Sequence, residues 1–138
     1  MAYKFNISNK GKALKLELEA EDLIDRTIGE TIKGNEISSD LEGYELEITG
    51  TSDKAGFPGK KDVQGPFLKR VLLDYGFGMW KRPKKEGKRP AKSPPGLRMR
   101  KTVRGNAISP DTVQINMKVV KEGKKKFEEF LKKEEKTE

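Results

Sequence analysis

The chain has 138 residues, 33% of them hydrophobic and 38% charged, which predicts a single domain with a modest core and many charges left in water. With no Cys and no His, it has no disulfide framework, no thiolate nucleophile, none of the usual zinc ligands and no imidazole acid/base, so neither a cofactor nor an enzymatic activity is expected. The net charge of +8 is unevenly spread: residues 1–50 carry 6 Lys+Arg against 11 Asp+Glu, residues 51–108 carry 16 against 4, and residues 109–138 carry 8 against 7.

Such segregation produces a local field that attracts polyanions to the middle of the chain while the first third stays acidic. The longest aliphatic run, Val71-Leu72-Leu73, is far shorter than a membrane span, and no signal-peptide apolar region opens the sequence. A reducing cytoplasm is the expected compartment.

In chain order, Tyr3-Lys4-Phe5-Asn6-Ile7 places apolar side chains at every second position and predicts a strand with one buried face. The same period returns in Leu14-Lys15-Leu16-Glu17-Leu18 and in Tyr44-Glu45-Leu46-Glu47-Ile48. Between them, residues 31–37 read as a weaker strand, or Lys33-Gly34-Asn35-Glu36 as its turn. Further strands are predicted at 66–73 and at 112–120, the latter alternating Val113, Ile115, Met117 and Val119. Six short strands in a small chain predict a mainly β fold, a six-stranded barrel-like domain over residues 1–123, because closure removes exposed edges.

Residues 81–104 have another character. They contain 11 Lys+Arg, one acidic residue (Glu86) and prolines at 83, 90, 94 and 95, so a long, extended basic loop inserted in the barrel is predicted. Going out and back at about 3.3 Å per residue, it reaches roughly 40 Å from its roots and gains order on contact with a polyanion. From residue 124 onward, Phe127, Phe130 and Leu131 stand at helical spacing, which predicts a charged tail, 124–138, with a short helix lying on the sheet or docking a partner. Lys124-Lys125-Lys126 at its start and Glu134-Glu135 near its end oppose the helix dipole.

For chemistry, Asp53 and Asp62 flank a Gly/Pro/Lys stretch, but no nucleophile or oxyanion donor accompanies them, and Asp in a turn is ordinarily a local cap. The acidic residues Glu17, Glu19, Glu21, Asp22 and Asp25 read as a solvated strand face and turn rather than a magnesium site. Gly56-Phe57-Pro58-Gly59-Lys60-Lys61 lacks the order of a phosphate-binding loop.

The cations are different, because binding a polyphosphate needs only positive charge and planar groups that stack. Lys54, Lys60 and Lys61 share one loop, and Lys69 and Arg70 follow on the next strand. Trp80, Lys81, Arg82, Lys84, Lys85, Lys88, Arg89, Lys92, Arg98, Arg100, Lys101 and Arg104 complete the candidate RNA-binding set. Trp80 either stacks on an unpaired base or closes the barrel end. No helix-turn-helix, zinc finger or basic zipper is readable, so folded RNA is the expected target rather than duplex DNA.

Two segments carry a family resemblance. Ile48-Thr49-Gly50-Thr51-Ser52-Asp53-Lys54-Ala55-Gly56-Phe57-Pro58 resembles the signature of ribosomal protein six of the small subunit, in the family shared by eukaryotes and archaea, where a Gly-Gly-x-Asp-x-x-Gly-Phe-Pro-Met pattern is expected. Thr51 replaces the second glycine and Gly59 the methionine. Arg100-Lys101-Thr102-Val103-Arg104-Gly105-Asn106-Ala107-Ile108, continuing into Ile115-Asn116 and Val119-Val120-Lys121-Glu122-Gly123, is similar to the family's Lys-Ser/Thr-Val-Arg-Gly stretch and following strand.

The resemblance implies a structural constituent of the small ribosomal subunit, without enzymatic activity, whose β-barrel packs basic loops into ribosomal RNA beside neighbouring ribosomal proteins. Longer eukaryotic relatives end in phosphorylated serines. This sequence has no serine after Ser109, so that regulation is expected to be absent, and the short form looks archaeal. The rival reading is a non-ribosomal RNA-binding protein or RNA chaperone using the same loop.

Overall fold

The structure is a computed structural model that describes residues 2–82 and 95–137. Its strands follow the period-two segments. Tyr3, Phe5 and Ile7 of β1 (Ala2–Asn9) point inward and are buried. Lys10 and Gly11, both at positive φ (48° and 82°), turn the chain into the antiparallel β2 (Lys12–Glu19). Positive φ at both turn positions supplies the twist that matches the flanking strands. Strand β3 (Thr31–Lys33) is short, and Gly34–Glu36 is indeed a tight turn of 3-10 type. The remaining elements are β4 (Glu45–Asp53), β5 (Leu68–Asp74), β6 (Arg98–Arg104), β7 (Thr112–Lys121) and the helix α1 (Phe127–Thr137).

These strands form a mainly β fold, but not the six-stranded barrel expected. Among the described residues seven strands divide into a five-stranded sheet, ordered β2-β1-β7-β4-β3, and a two-stranded ribbon of β5 and β6. The extra strand is β6, which lies within the expected basic loop. Its alternation of Met99, Lys101 and Val103 pairs with β5, Val71 opposite Lys101 and Lys69 opposite Val103, and Val103 becomes fully buried. The five-stranded sheet stays open, since its edges β2 and β3 pair only with β1 and β4. A helix covers the β2 side instead: the Glu134 carboxylate accepts from the Lys15 backbone N–H at 2.9 Å, satisfying a donor of the edge strand.

The helix forms for a reason the charge run concealed. The three lysines at 124–126 precede it, so its first turn holds Glu128 and Glu129 and its last turn Lys136, the order that the dipole favours. Phe127 and Phe130 enter the main core, where Phe130 meets Tyr44 edge-to-face at 6.1 Å. The Tyr44 hydroxyl donates to the Lys125 carbonyl, fixing the entry to the helix.

Two cores result. The larger joins Phe5, Ile7, Leu14, Ile32, Leu46, Ile48, Ile115 and Met117. The smaller lies beneath the ribbon and holds Val63, Leu73, Met79 and Val103. Strand β4 links them through a bulge: the register against β7 shifts between Ile48 and Gly50, so the buried set changes from Leu46 and Ile48 to Thr51 and Asp53. A bulge of this kind re-aims a side chain, here by turning a carboxylate inward.

Candidate nucleic-acid interface

Asp53, re-aimed by that bulge, organises the loop that follows it. Its Oδ1 accepts from the Phe57 backbone N–H at 2.8 Å, its own N–H donates to the Phe57 carbonyl at 3.2 Å, and its carbonyl accepts from Gly56 N–H at 3.0 Å. Gly56 sits at φ 86°, in the left-handed region that a glycine enters without strain. The other Asp53 oxygen, Oδ2, accepts from Arg104 Nε–H at 2.9 Å, and Arg104 Nη1 donates to the Pro66 carbonyl at 2.8 Å. The side chains of this pair are 1% and 12% exposed. Burial alone raises the Asp53 carboxyl, but the hydrogen bonds from Arg104 and Phe57 and the Arg104 charge outweigh it and hold the group below its ordinary value.

The two segments that carry the resemblance are thus the two halves of one contact. Backbone bonds complete it: Arg104 N–H to the Pro58 carbonyl and Lys60 N–H to the Arg104 carbonyl, both at 2.9 Å. Gly105 is required there, because a Cβ at that position would lie 1.7 Å from the Gly65 carbonyl oxygen. The two departures from the family pattern also meet. Gly59 N–H donates to the Thr51 carbonyl at 2.9 Å, and a Cβ on Gly59 would lie 2.1 Å from Thr51 Oγ1. Side-chain volume is placed on residue 51 rather than 59, so a glycine lost on one side matches a glycine gained on the other.

The candidate cations distribute as follows. On the ribbon, Arg70, Arg98 and Arg100 lie on one face and Lys69 and Lys101 on the other, the face that also carries the smaller core. Arg98 and Arg100 are two residues apart on one strand, hence about 6.6 Å. Arg98 pairs with Asp74 at 3.0 Å, Lys60 with Asp62 at 3.2 Å and Lys54 with Asp111 at 3.8 Å. Lys61, Lys69, Arg70, Lys81, Arg100 and Lys101 have no carboxylate within salt-bridge distance among the described residues. Arg104 is turned inward to Asp53. Arg82 lies 4.8 Å over the Tyr75 ring, and its Nε–H donates to the Tyr75 hydroxyl at 2.8 Å. Lys84, Lys85, Lys88, Arg89 and Lys92, and with them most of the extended loop expected at 81–104, lie outside the described residues.

Trp80 is 69% exposed and belongs to neither core, so it does not close the end of the sheet. Among the described residues the acidic side chains at 17–25 form no metal-holding cluster, and no helix is long and apolar enough to cross a membrane. Sequence reasoning missed Tyr75 and Phe77, which flank Gly76 at the end of the ribbon; the Gly76-Phe77-Gly78 spacing was the available sign of an exposed aromatic turn.

These features define a basic, mainly β protein with several cations on one ribbon and the adjoining loops that have no carboxylate partner among the described residues. Residues 3–132 match the family described as Ribosomal protein S6e, and the chain belongs to that family. It is 44% identical over 134 residues to the small ribosomal subunit protein eS6 of Methanothermobacter thermautotrophicus, covering 95% of this chain and 96% of that one. The eS6 proteins of Methanocaldococcus jannaschii and Nanoarchaeum equitans are each 42% identical over 121 residues, covering 88% and 87% of this chain and 82% and 80% of theirs.

Proposed function

We propose that this chain is a structural constituent of the small ribosomal subunit that holds ribosomal RNA through the cations of residues 54–61 and 81–104 together with Lys69 and Arg70. The β unit of residues 1–123 serves as the base, and the 124–138 tail is its cover. Family membership supports a structural rather than enzymatic role, and the names of the relatives support the subunit. The single observation that carries RNA contact is the set of ribbon cations without carboxylate partners among the described residues, Arg70 and Arg100 exposed on one face and Lys69 exposed and Lys101 half-buried on the other, whose charge is left for a polyanion to neutralise.

Five further cations, from Lys84 to Lys92, add to the same stretch of sequence. If about eight cations meet phosphates, the logarithm of affinity for small-subunit RNA falls with the logarithm of salt at a slope of about −6 to −7 in a filter-binding titration. A slope near zero overturns the electrostatic basis. Retention on small subunits sedimented at high salt distinguishes a resident protein from a free RNA chaperone, which washes off.

A further inference from the structure

We infer that Trp80, braced by Tyr75, is a stacking platform for an unpaired nucleobase. The inference rests on the RNA-binding reading above and adds a contact that charge alone does not make. Trp80 is exposed by construction. Gly76 and Met79 exchange two backbone hydrogen bonds, of 2.8 and 3.0 Å, across a turn whose glycines sit at φ 144° and 76°. Met79 then drops into the smaller core with no exposed surface. In extended chain the next side chain faces the opposite way, which carries Trp80 out to solvent.

The ring is also braced. Tyr75 meets Trp80 at 5.6 Å and 85°, an edge-to-face contact, and Trp80 stays 69% exposed beside it. Arg82, stacked on Tyr75 and bonded to its hydroxyl, fixes the tyrosine in turn. A large ring held in place and left uncovered loses little conformational freedom when a flat partner settles on it. The flanking Lys81 and Arg82 are both exposed, which favours a partner that carries phosphate beside its flat group, a nucleotide, over an apolar protein surface. Stacking is tolerant of base identity and is possible only where the base is unpaired.

Trp80 is the sole tryptophan, so its fluorescence reports the contact directly. The probes are a single-stranded oligoadenylate of about ten nucleotides, an RNA duplex of the same length, and heparin, a polyanion without bases. The expected result is quenching of Trp80 emission by the single strand and not by heparin or the duplex. In anisotropy titrations of labelled RNA, W80A weakens single-strand binding about ten-fold and leaves duplex binding and heparin competition unchanged, while W80F retains most of the affinity. Equal quenching by heparin, or equal weakening of all three probes by W80A, overturns the platform. Salt-dependent RNA binding without quenching sinks the platform and leaves the proposed function standing; no binding of any RNA probe sinks both. Because Trp80 lies outside both cores, W80A should melt with the parent protein.

Discussion

The five-stranded sheet with its helix and the two-stranded ribbon handle surface charge in opposite ways. On the former, several cations face carboxylates, Lys4 with Glu17, Lys12 with Glu128, Lys118 with Glu47, Lys121 with Glu45, Lys124 with Glu42 and Lys125 with Asp40, although Lys15 and Lys33 do not among the described residues. On the ribbon, Lys69, Arg70, Arg100 and Lys101 face none among the described residues. Exposed pairs of this kind add little stability. What they do is offset much of the positive charge on the sheet, which leaves the ribbon and its adjoining loops the more cationic part. Among the described residues, the pair with both side chains largely buried, Asp53 with Arg104, lies where the two regions meet.

That junction is where the contrast is most easily broken. D53A removes the hydrogen-bonded carboxylate of Arg104, leaving only the exposed Asp111 at 3.9 Å, and should cost up to about 3–5 kcal/mol in urea denaturation, whereas exchanging both partners together for apolar residues of similar size costs far less. Amide exchange in D53A should lose protection in β5 and β6 before β1 and β7; uniform loss would show the two regions to be one cooperative unit. Next in size, G59M forces a side chain onto Thr51 and should cost about 1–3 kcal/mol, while T51G with G59M should recover most of that loss, a coupling a double-mutant cycle reads directly.

Acid should act at the same junction. The Asp53 carboxyl is held below its ordinary value when folded, so its stabilisation is complete above about pH 4 and fades as pH falls through the depressed value. Thermal melts from pH 5 to pH 2 should show D53N losing less than the parent over that window. The smallest effects sharpen the contrast in charge. R100Q should leave stability within about 0.5 kcal/mol yet make the RNA salt slope shallower by about 0.7–0.9. K118Q, on the paired sheet, should leave the slope as it was.

Strands β1, β2, β4 and β7 were legible because each alternates apolar and polar residues and buries one face. Strand β6 was not, since arginines and lysines outnumber Met99 and Val103 and hide the same period, and only pairing with β5 reveals it. The helix was legible from Phe127 and Phe130, but its polarity was misread by placing its start at Lys124 instead of Phe127. Asp53 was read as a turn cap, which it is. Its second role depends on a β4 bulge and on a partner 51 positions away, neither of which leaves a local sign. The candidate cations were legible by composition, whereas their division between the two ribbon faces needed the register of β5 against β6.

The parallel pairing of β1 with β7 sets Lys4 opposite Gln114 and Ser8 opposite Lys118, so the middle of the sheet joins the two ends of the sequence. During synthesis the first hairpin, β1 with β2, must wait with one side of β1 unpaired until residues 114–118 have emerged, nearly a hundred positions after β2 ends at Glu19. Long-range closure of this sort is slow. The nascent molecule therefore has an open strand edge for nearly the whole of its translation, and its acidic first third, which repels ribosomal RNA, spends that interval next to the machine that is making it.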